Sequence, residues 1–516
     1  MKRQPLAVFA LFLLTVIIAG LFAGAGVLAA AQDIAVAPRL NDGTRPALSA
    51  IAGQGMMDSH AYKYLENLSD DIGPRVTGSA RCNEAIQWGL ATMKKIGLQN
   101  VHAEPWQLFR GWKRISASAE IVSPARHPLM VDSMGWVGST PEGGVTAEVV
   151  PVNVFNLQQE ISQNSSNWRG KILLAVQKGP RPSNGMSGFG QFGLFLQKAQ
   201  DVGAVAVIGG QGGAKSQGMN LTHTGILGFA KSYDIPVVSI SAEGQDLLER
   251  FLDRGKTVRV HINVQNRFTN GPVSTANVVG EIVGTKYPDQ IIVVGGHLDS
   301  WDLSEGSTDN GMGTTTTLGA AEAIVRSGYK PLRTIRFVLF TGEEQGLLGS
   351  FAYVKTHKAE MQNHVAAVIL DNGQGPVTAL NMGGRNDLVP AVEPLVENLS
   401  AFGKITANDN TEFGTDTGPF ILAGLPGINL DQDSPAYRYT HHSNVDSFDK
   451  INEAVLDRDA AVQALVAFWI ADRPERLASP WPPEETARML IEKGDYGFLK
   501  MFGLWPFGNL GQPQQH

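Results

Sequence analysis

Hydrophobic and polar positions along the 516 residues fall into three textures. In the first, "DSHAYKYLENLSDDIGPRVTGSA" and "CNEAIQWGLATMKKIG" space their apolar residues at helical intervals, and "NVHAEPWQLF" follows as a strand. From about residue 122 short apolar or alternating runs take over, "VTAEVVPV", "GKILLAV", "AVAVIGG" and "IPVVSIS", with one clear helix at "GQFGLFLQKAQDVG". From about residue 290 buried-strand runs alternate with helical ones: "QIIVVGG", "TTTTLGAAEAIVRSG", "TIRFVLF", "SFAYVKTH" and "HVAAVILDN". Strands that are apolar on both faces and separated by helices predict a parallel sheet covered on both sides. The expected fold class is therefore α/β, a mostly parallel, doubly wound sheet flanked by helices, with an inserted β-rich domain.

The same pattern sets the expected domain boundaries. Residues 55–121 and 273–474 form one split domain, 122–272 the insert, 32–54 a linker, and 475–516 an aromatic, Gly/Pro-bearing tail without a period. Residues 1–31 begin with Lys2 and Arg3, continue as one apolar run and end in small residues near Ala31, the pattern of an export signal. The protein is expected to be exported, secreted or periplasmic; the length of the run leaves an uncleaved N-terminal membrane anchor as the alternative. The sole cysteine, Cys82, excludes an intrachain disulfide.

Composition removes several functions. A formal net charge of -7 without a basic stripe argues against a nucleic-acid partner. The glycine-rich "GMSGFGQFG" and "GGQGGAKSQG" lack the strand, spacing and Lys-Ser/Thr ending of a phosphate loop, and read as loops.

Ligands of open parallel sheets bind beyond the carboxyl ends of the strands, so what each strand delivers there is informative. "IIVVGG" ends at His297, "IRFVLFTG" at Glu343 and Glu344, and "AAVIL" at Asp371; Asp309 in "SEGSTDNGMG" and His442 in "YTHHSNVDS" join them from loops. Singly, each has an ordinary explanation as a cap, a turn or a solvated charge. Together, so many carboxylates at one sheet rim require cations. Oxygen and imidazole donors point to zinc, with manganese or cobalt as other occupants.

The strings "GGHLDSWDLSEGSTDNGMG", "FTGEEQGLLGS", "ILDNGQG" and "HHSNVDSFD" resemble the co-catalytic di-zinc exopeptidases of metallopeptidase family twenty-eight, and with "DDIGPRVTGS" and the insert they resemble a carboxypeptidase branch of it. The resemblance covers residues 55 to 472 or so and makes the insert a protease-associated domain. It implies two zinc ions per chain, one held by His297 and Glu344, the other by Asp371 and His442, with Asp309 bridging. Glu343 becomes the general base, and the attacking group a hydroxide held by both zincs. Asp299 matches a carboxylate that orients His297; His441 stands where some relatives carry an oxyanion-contacting tyrosine. Arg385 and Arg438 are candidates to clamp a substrate carboxylate.

The implied activity is hydrolysis of dipeptides or terminal residues of short peptides, by a metallodipeptidase or carboxypeptidase. The alternatives are an aminopeptidase of the same family, a single-zinc glutaminyl cyclase, and a non-catalytic receptor or scaffold with a peptidase fold. The expected partner is a short peptide; a membrane enters only with an uncleaved N-terminal segment, and a second copy of the chain is a candidate partner by the same resemblance.

Overall fold

A computed structural model describes residues 44–180, 188–209 and 219–510. The expected export segment and parts of both glycine-rich stretches lie outside the described residues. The latter half of "GMSGFGQFG" opens the helix Gly188–Val202.

Two eight-stranded sheets organise the chain. The first contains β1 (Gln99–Leu108), β2 (Val273–Ile282), β3 (Tyr287–His297), β4 (Arg333–Phe340), β5 (His364–Ile369), β6 (Val377–Asn381), β7 (Thr406–Asn408) and β8 (Gly427–Gln432). Their spatial order is β1-β2-β4-β3-β5-β8-β6-β7. The centre, β4-β3-β5-β8, is parallel, as is β6 with β7. The pairs β1-β2, β2-β4 and β6-β8 are antiparallel. The expectation of a mostly parallel sheet thus holds at the centre, while the pairs β1-β2, β2-β4 and β6-β8 on either side of it make the sheet as a whole mixed.

Both faces of the centre are buried. In β3, Ile292 and Val294 join the large core with helices α1 (Thr44–Met57), α2 (Ala80–Ile96), α3 (Met312–Ser327) and α4 (Glu453–Ala471), while Ile291 and Val293 join Tyr353 and Phe420 opposite. This explains the unbroken apolar run. Glycine before His297 serves close approach: a Cβ on Gly296 would lie 2.8 Å from the Gly313 carbonyl carbon. Helix α3 therefore seats against the strand end, where Thr314 Oγ1 donates to the His297 carbonyl at 2.6 Å.

The second sheet runs from Trp112, opposite Phe268, so it starts upstream of the expected boundary at 122. Its strands Val145–Asn153, Ile172–Val176, Ala206–Ile208 and Val237–Ile240 pair in parallel, and helices Leu157–Asn164, Gly188–Val202 and Ala242–Asp253 connect or follow them. The module is β-rich, as expected, but among the described residues it carries three α-helices where the sequence pattern predicts one. The expected linker also needs correction, because α1 starts at Thr44 and buries Ala47, Leu48 and Ile51. The tail packs on the core: Leu499, Phe498 and Trp505 gather with Phe413, Ile421 and Leu490. Among the described residues no helix is long and apolar enough to cross a membrane.

Candidate metal centre

The strand ends β3, β4 and β5 bring their ionisable residues to one rim, and two loops complete it. His297 Nε2 lies 3.1 Å from Asp371 Oδ1, 3.2 Å from Asp309 Oδ1 and 3.8 Å from Glu343 Oε2. On the other side of Asp309, His442 Nε2 lies 3.2 Å from Asp309 Oδ2 and 2.9 Å from Glu344 Oε2. Asp309 thus stands between two His-carboxylate sets, one oxygen facing each. His441 stacks on His442 with centroids 3.8 Å apart, and its Nε2 is 3.8 Å from Asp309 Oδ2.

This grouping corrects the expected one, which paired His297 with Glu344 and Asp371 with His442. β3 and β5 are parallel neighbours with Gly295 opposite Ile369, so their next outward side chains, His297 and Asp371, meet. Glu344 lies one residue beyond Glu343 and points the other way, toward the loop of His442.

The donor set fits metal ions. His297 Nε2, Asp309 Oδ2 and Glu344 Oε1 are buried without a hydrogen-bond partner, although charged atoms stand close by. Ligand atoms within 4.8 Å of each other form the groups His297, Glu343, Asp371 and Asp309, His441, His442. Imidazole with carboxylate is a zinc-type donor set.

With only protein charges to set them, these groups titrate far from their usual ranges. Burial pushes Glu343 well above the usual carboxylate range, helped by Asp371 and Glu344, and pushes Glu344 to about 7 and Asp371 to about 6. Burial opposes charging of the histidines, yet the carboxylates outweigh it: Asp371 and Glu343 hold His297 well above its usual value, and Glu344 and Asp309 hold His442 at about 10. Asp309 goes the other way; burial resists, but His297 and His442 keep it well below the carboxylate range.

A ring of side chains and backbone groups aims the ligand atoms. His297 Nδ1 is 3.0 Å from the Asp299 carbonyl, whereas the Asp299 carboxylate is 3.6 Å away. That carboxylate accepts instead from Thr77 Oγ1 at 2.6 Å and from the Glu343 amide at 3.4 Å. Asp299 therefore orients His297 through its backbone and the Glu343 turn through its side chain. Asp446 accepts from the Thr308 and Asp309 amides at 2.6 and 3.1 Å, which fixes the position of Asp309.

Sequence reasoning missed two participants. Arg75, fully buried, donates to the carbonyls of Leu298, Gly73, Glu305 and Gly306 at 2.6–3.0 Å, tying the end of β3 to the loop that carries Asp309. Asp416, raised to about 7 by burial, accepts from Ser350 Oγ at 2.5 Å behind the Glu343 turn. Neither stands at a strand end, so strand-end logic could not find them; the arginine inside the otherwise apolar "IGPRVTG" was the available signal.

The second module reaches this rim. Thr224 N donates to the His442 carbonyl at 2.8 Å, His223 Nδ1 lies 2.9 Å from the His441 carbonyl, and Ala230 N donates to the Gln345 carbonyl at 3.1 Å. Phe229 fills the space a side chain at Gly346 would need, since a Cβ there would meet its ring at 2.7 Å with φ at +107°.

The two arginines part company. Arg385 is buried, paired bidentately with Asp387 at 2.8 Å, bonded to the Ser479 carbonyl and laid over the Trp481 ring. With its guanidinium so engaged it is a structural arginine, and the expectation of a substrate clamp there is withdrawn. Arg438 is exposed on the short helix Tyr437–Thr440 just before His441, its guanidinium over the Tyr439 ring.

Comparison with known proteins places this rim in a family. The family profile described as Peptidase family M28 matches residues 277–467. Mouse (Mus musculus) carboxypeptidase Q is 33% identical over 433 residues, 84% of this chain and 90% of that protein. The crystal structure of a peptidase M28 precursor from Shewanella amazonensis SB2B is similar with a TM-score of 0.76 and 30% identity, covering 86% of this chain and 99% of that one. A structure described as BSAP, a zinc aminopeptidase from Bacillus subtilis, shares the fold with a TM-score of 0.61 at 21% identity, over 82% of this chain and 97% of that one.

Proposed function

The chain belongs to peptidase family M28, and on that premise we propose that it is a zinc-dependent exopeptidase that splits dipeptides or releases terminal residues of short peptides. The single observation that carries the reading is the placement of Asp309 between two His-carboxylate sets, with Glu343 beside one of them. His297, Asp309 and Asp371 would hold one zinc, and Asp309, Glu344 and His442 the other. Zinc bound there supplies Lewis acidity toward the scissile carbonyl and toward water.

The chain's own residues do the rest. Glu343 takes the proton of the attacking water and returns it to the leaving amine; burial, which raises its proton affinity, suits it to both halves of that exchange. The Asp299 carboxylate holds the Glu343 amide, so the base keeps its aim. His441, partly exposed beside His442, is the donor available to the developing oxyanion. Arg438 is the remaining candidate for a substrate carboxylate, since planar guanidinium pairs bidentately with it. Export through residues 1–31 and a protease-associated role for the second module belong to the same reading.

The test is a dipeptide panel with Glu343→Gln, read with metal analysis of protein purified without chelator. Loss of hydrolysis with two zincs per chain retained is the expected result. Undiminished hydrolysis in the variant overturns the mechanism, and one zinc per chain would instead favour the cyclase chemistry. Substrates blocked at either end then establish which terminus is read.

A further inference from the structure

The two histidines of the metal centre are aimed by different parts of the molecule. His297 is fixed within the domain of the first sheet: its carbonyl accepts from Thr314 Oγ1 at 2.6 Å, and its Nδ1 lies 3.0 Å from the Asp299 carbonyl. His442 has no such ring contact. Its Nε2 faces Asp309 and Glu344, while its Nδ1 is buried without a hydrogen-bond partner. Its backbone stands in the left-handed region at φ +57°. A residue with a Cβ keeps that conformation only where its surroundings hold it.

The second module does the holding. His223 lies opposite Ser443 in a short antiparallel bridge. Thr224 N donates to the His442 carbonyl at 2.8 Å and Asn444 N to the Thr222 carbonyl at 3.2 Å, while Thr222 N donates to Asn444 Oδ1 at 3.3 Å. His223 Nδ1, 2.9 Å from the His441 carbonyl, carries the hydrogen of that bond, since a carbonyl only accepts. Thr222, His223 and Thr224 are each at most 4% exposed, so water does not compete for these bonds. Arg114, on the strand Trp112–Ser123, pairs with Asp302 at 2.8 Å and donates to Thr224 Oγ1 at 3.0 Å. Beside Asp302, Trp301 stands edge-on to the His442 ring with centroids 6.0 Å apart. Its far end occupies the space that a side chain on Gly135 of the second module would need, 2.1 Å from a Cβ there. Docking of the module therefore sets both the backbone of His442 and the flank of its ring.

We propose that docking of residues 222–224 sets the zinc affinity of the Asp309, Glu344 and His442 set and leaves that of the His297, Asp309 and Asp371 set alone, with His223 as the positioning residue; the inference rests on the zinc reading above. Contacts that orient a ligating histidine are worth about 10- to 100-fold in metal affinity. For His297 those contacts come from its own domain, so the first zinc is indifferent to the second module. For His442 they cross between modules, so the second zinc is bound only as firmly as the module is docked.

The experiment loads the full chain with zinc as wild type, His223→Leu and His223→Asn, withdraws the metal with a competing chelator, and counts zinc per chain by mass spectrometry, with thermal melts to check folding. The expected result is that His223→Leu keeps one zinc at wild-type affinity and holds the other about 10- to 100-fold more weakly. His223→Asn, whose side-chain amide donates where Nδ1 does, should recover most of that loss. Should His223→Leu fail to fold, Asn444→Ala removes the acceptor of Thr222 N from the other side of the bridge and carries the same expectation. Equal weakening of both zincs, unchanged affinity for both, or a weakening that His223→Asn does not repair overturns the proposal. Wild type that binds fewer than two zincs sinks the two-metal reading and this inference with it; two zincs in wild type with unchanged affinities in His223→Leu sinks this inference alone. Selective loss of one zinc in a protein that hydrolyses no dipeptide would overturn the peptidase reading and leave the positioning role standing.

Discussion

The two eight-stranded sheets invite comparison because both are mixed and both bury parallel apolar strands under helices. In the first, β3 ends at His297, and β4 and β5 lead within three residues to Glu343 and Asp371. In the second, the equivalent runs "ILLAV", "AVI" and "VVSI" end in Gln177, Gly209 and Ser241, which offer no cluster of charge. Among the described residues, similar architecture thus gathers a cluster of charged side chains at one of these strand ends and not at the other, as expected when function is grafted onto a fold. The second module contributes differently, by holding the loops of His442 and Gln345 through residues 223–230.

The sharpest way to break the comparison is at the first rim. Glu343→Gln should lower kcat by about 10³-fold, within the range for a lost general base, with zinc content unchanged by mass spectrometry. If a carboxylate-to-amide change anywhere in the second module had an equal effect, the assignment of chemistry to one sheet would be wrong.

Next in size is a structural contrast between arginines. Arg385→Met should cost about 2–4 kcal/mol of stability, because Asp387 and the Ser479 carbonyl lose their partner, while KM for dipeptides stays put. A raised KM at unchanged stability would restore Arg385 to the substrate. Arg438→Met should do the reverse, raising KM about tenfold for substrates with a free carboxylate and leaving the melting temperature alone.

Phe229→Ala tests the reach of the second module. Its ring packs on Gly346 and on Phe498 and Phe502 of the tail, so truncation should loosen the loop that follows Glu344. A loss of about 3 kcal/mol by thermal or denaturant melting is expected, with a modest fall in kcat. Intact kcat and stability together would show that the modules act independently.

The smallest expected effect is on pH dependence. Burial raises Glu344 to about 7, Asp371 to about 6 and Asp446 to about 7, so the folded chelated protein binds protons there that the unfolded chain has already released. Stability then falls as pH rises from the ordinary carboxylate range toward about 7. His297 and His442 act in the same direction, their contribution being complete below the unfolded histidine value and lost as pH rises toward about 10 for His442. Asp309, held low by His297 and His442, contributes stability that is lost only in acid, below that window. Melting temperatures with chelator should therefore decline between about pH 5 and pH 8, and zinc should flatten the slope. A chelated protein most stable at pH 8 would contradict these environments.

Much of the rim was legible from order along the chain. Apolar runs that end in His, Glu-Glu and Asp mark strand ends by themselves, because a strand buried on both faces can show charge only where it leaves the sheet. The α/β class, the two modules and the candidate ligand positions followed from that, whereas the role of Glu343 as a base came from the family resemblance alone. What escaped depended on distance in space. Which histidine stands with which carboxylate is set by β3 lying beside β5 and by the opposite facing of Glu343 and Glu344. Arg385 and Arg438 look alike in sequence, and only Asp387 and Trp481 closing around one of them separates structural from available. Arg75 and Asp416 act on loops remote in sequence, and His223 meets the loop of His442 from the other module. Local pattern records where backbone emerges from a core; partnership between side chains is a property of packing, which a linear pattern does not contain.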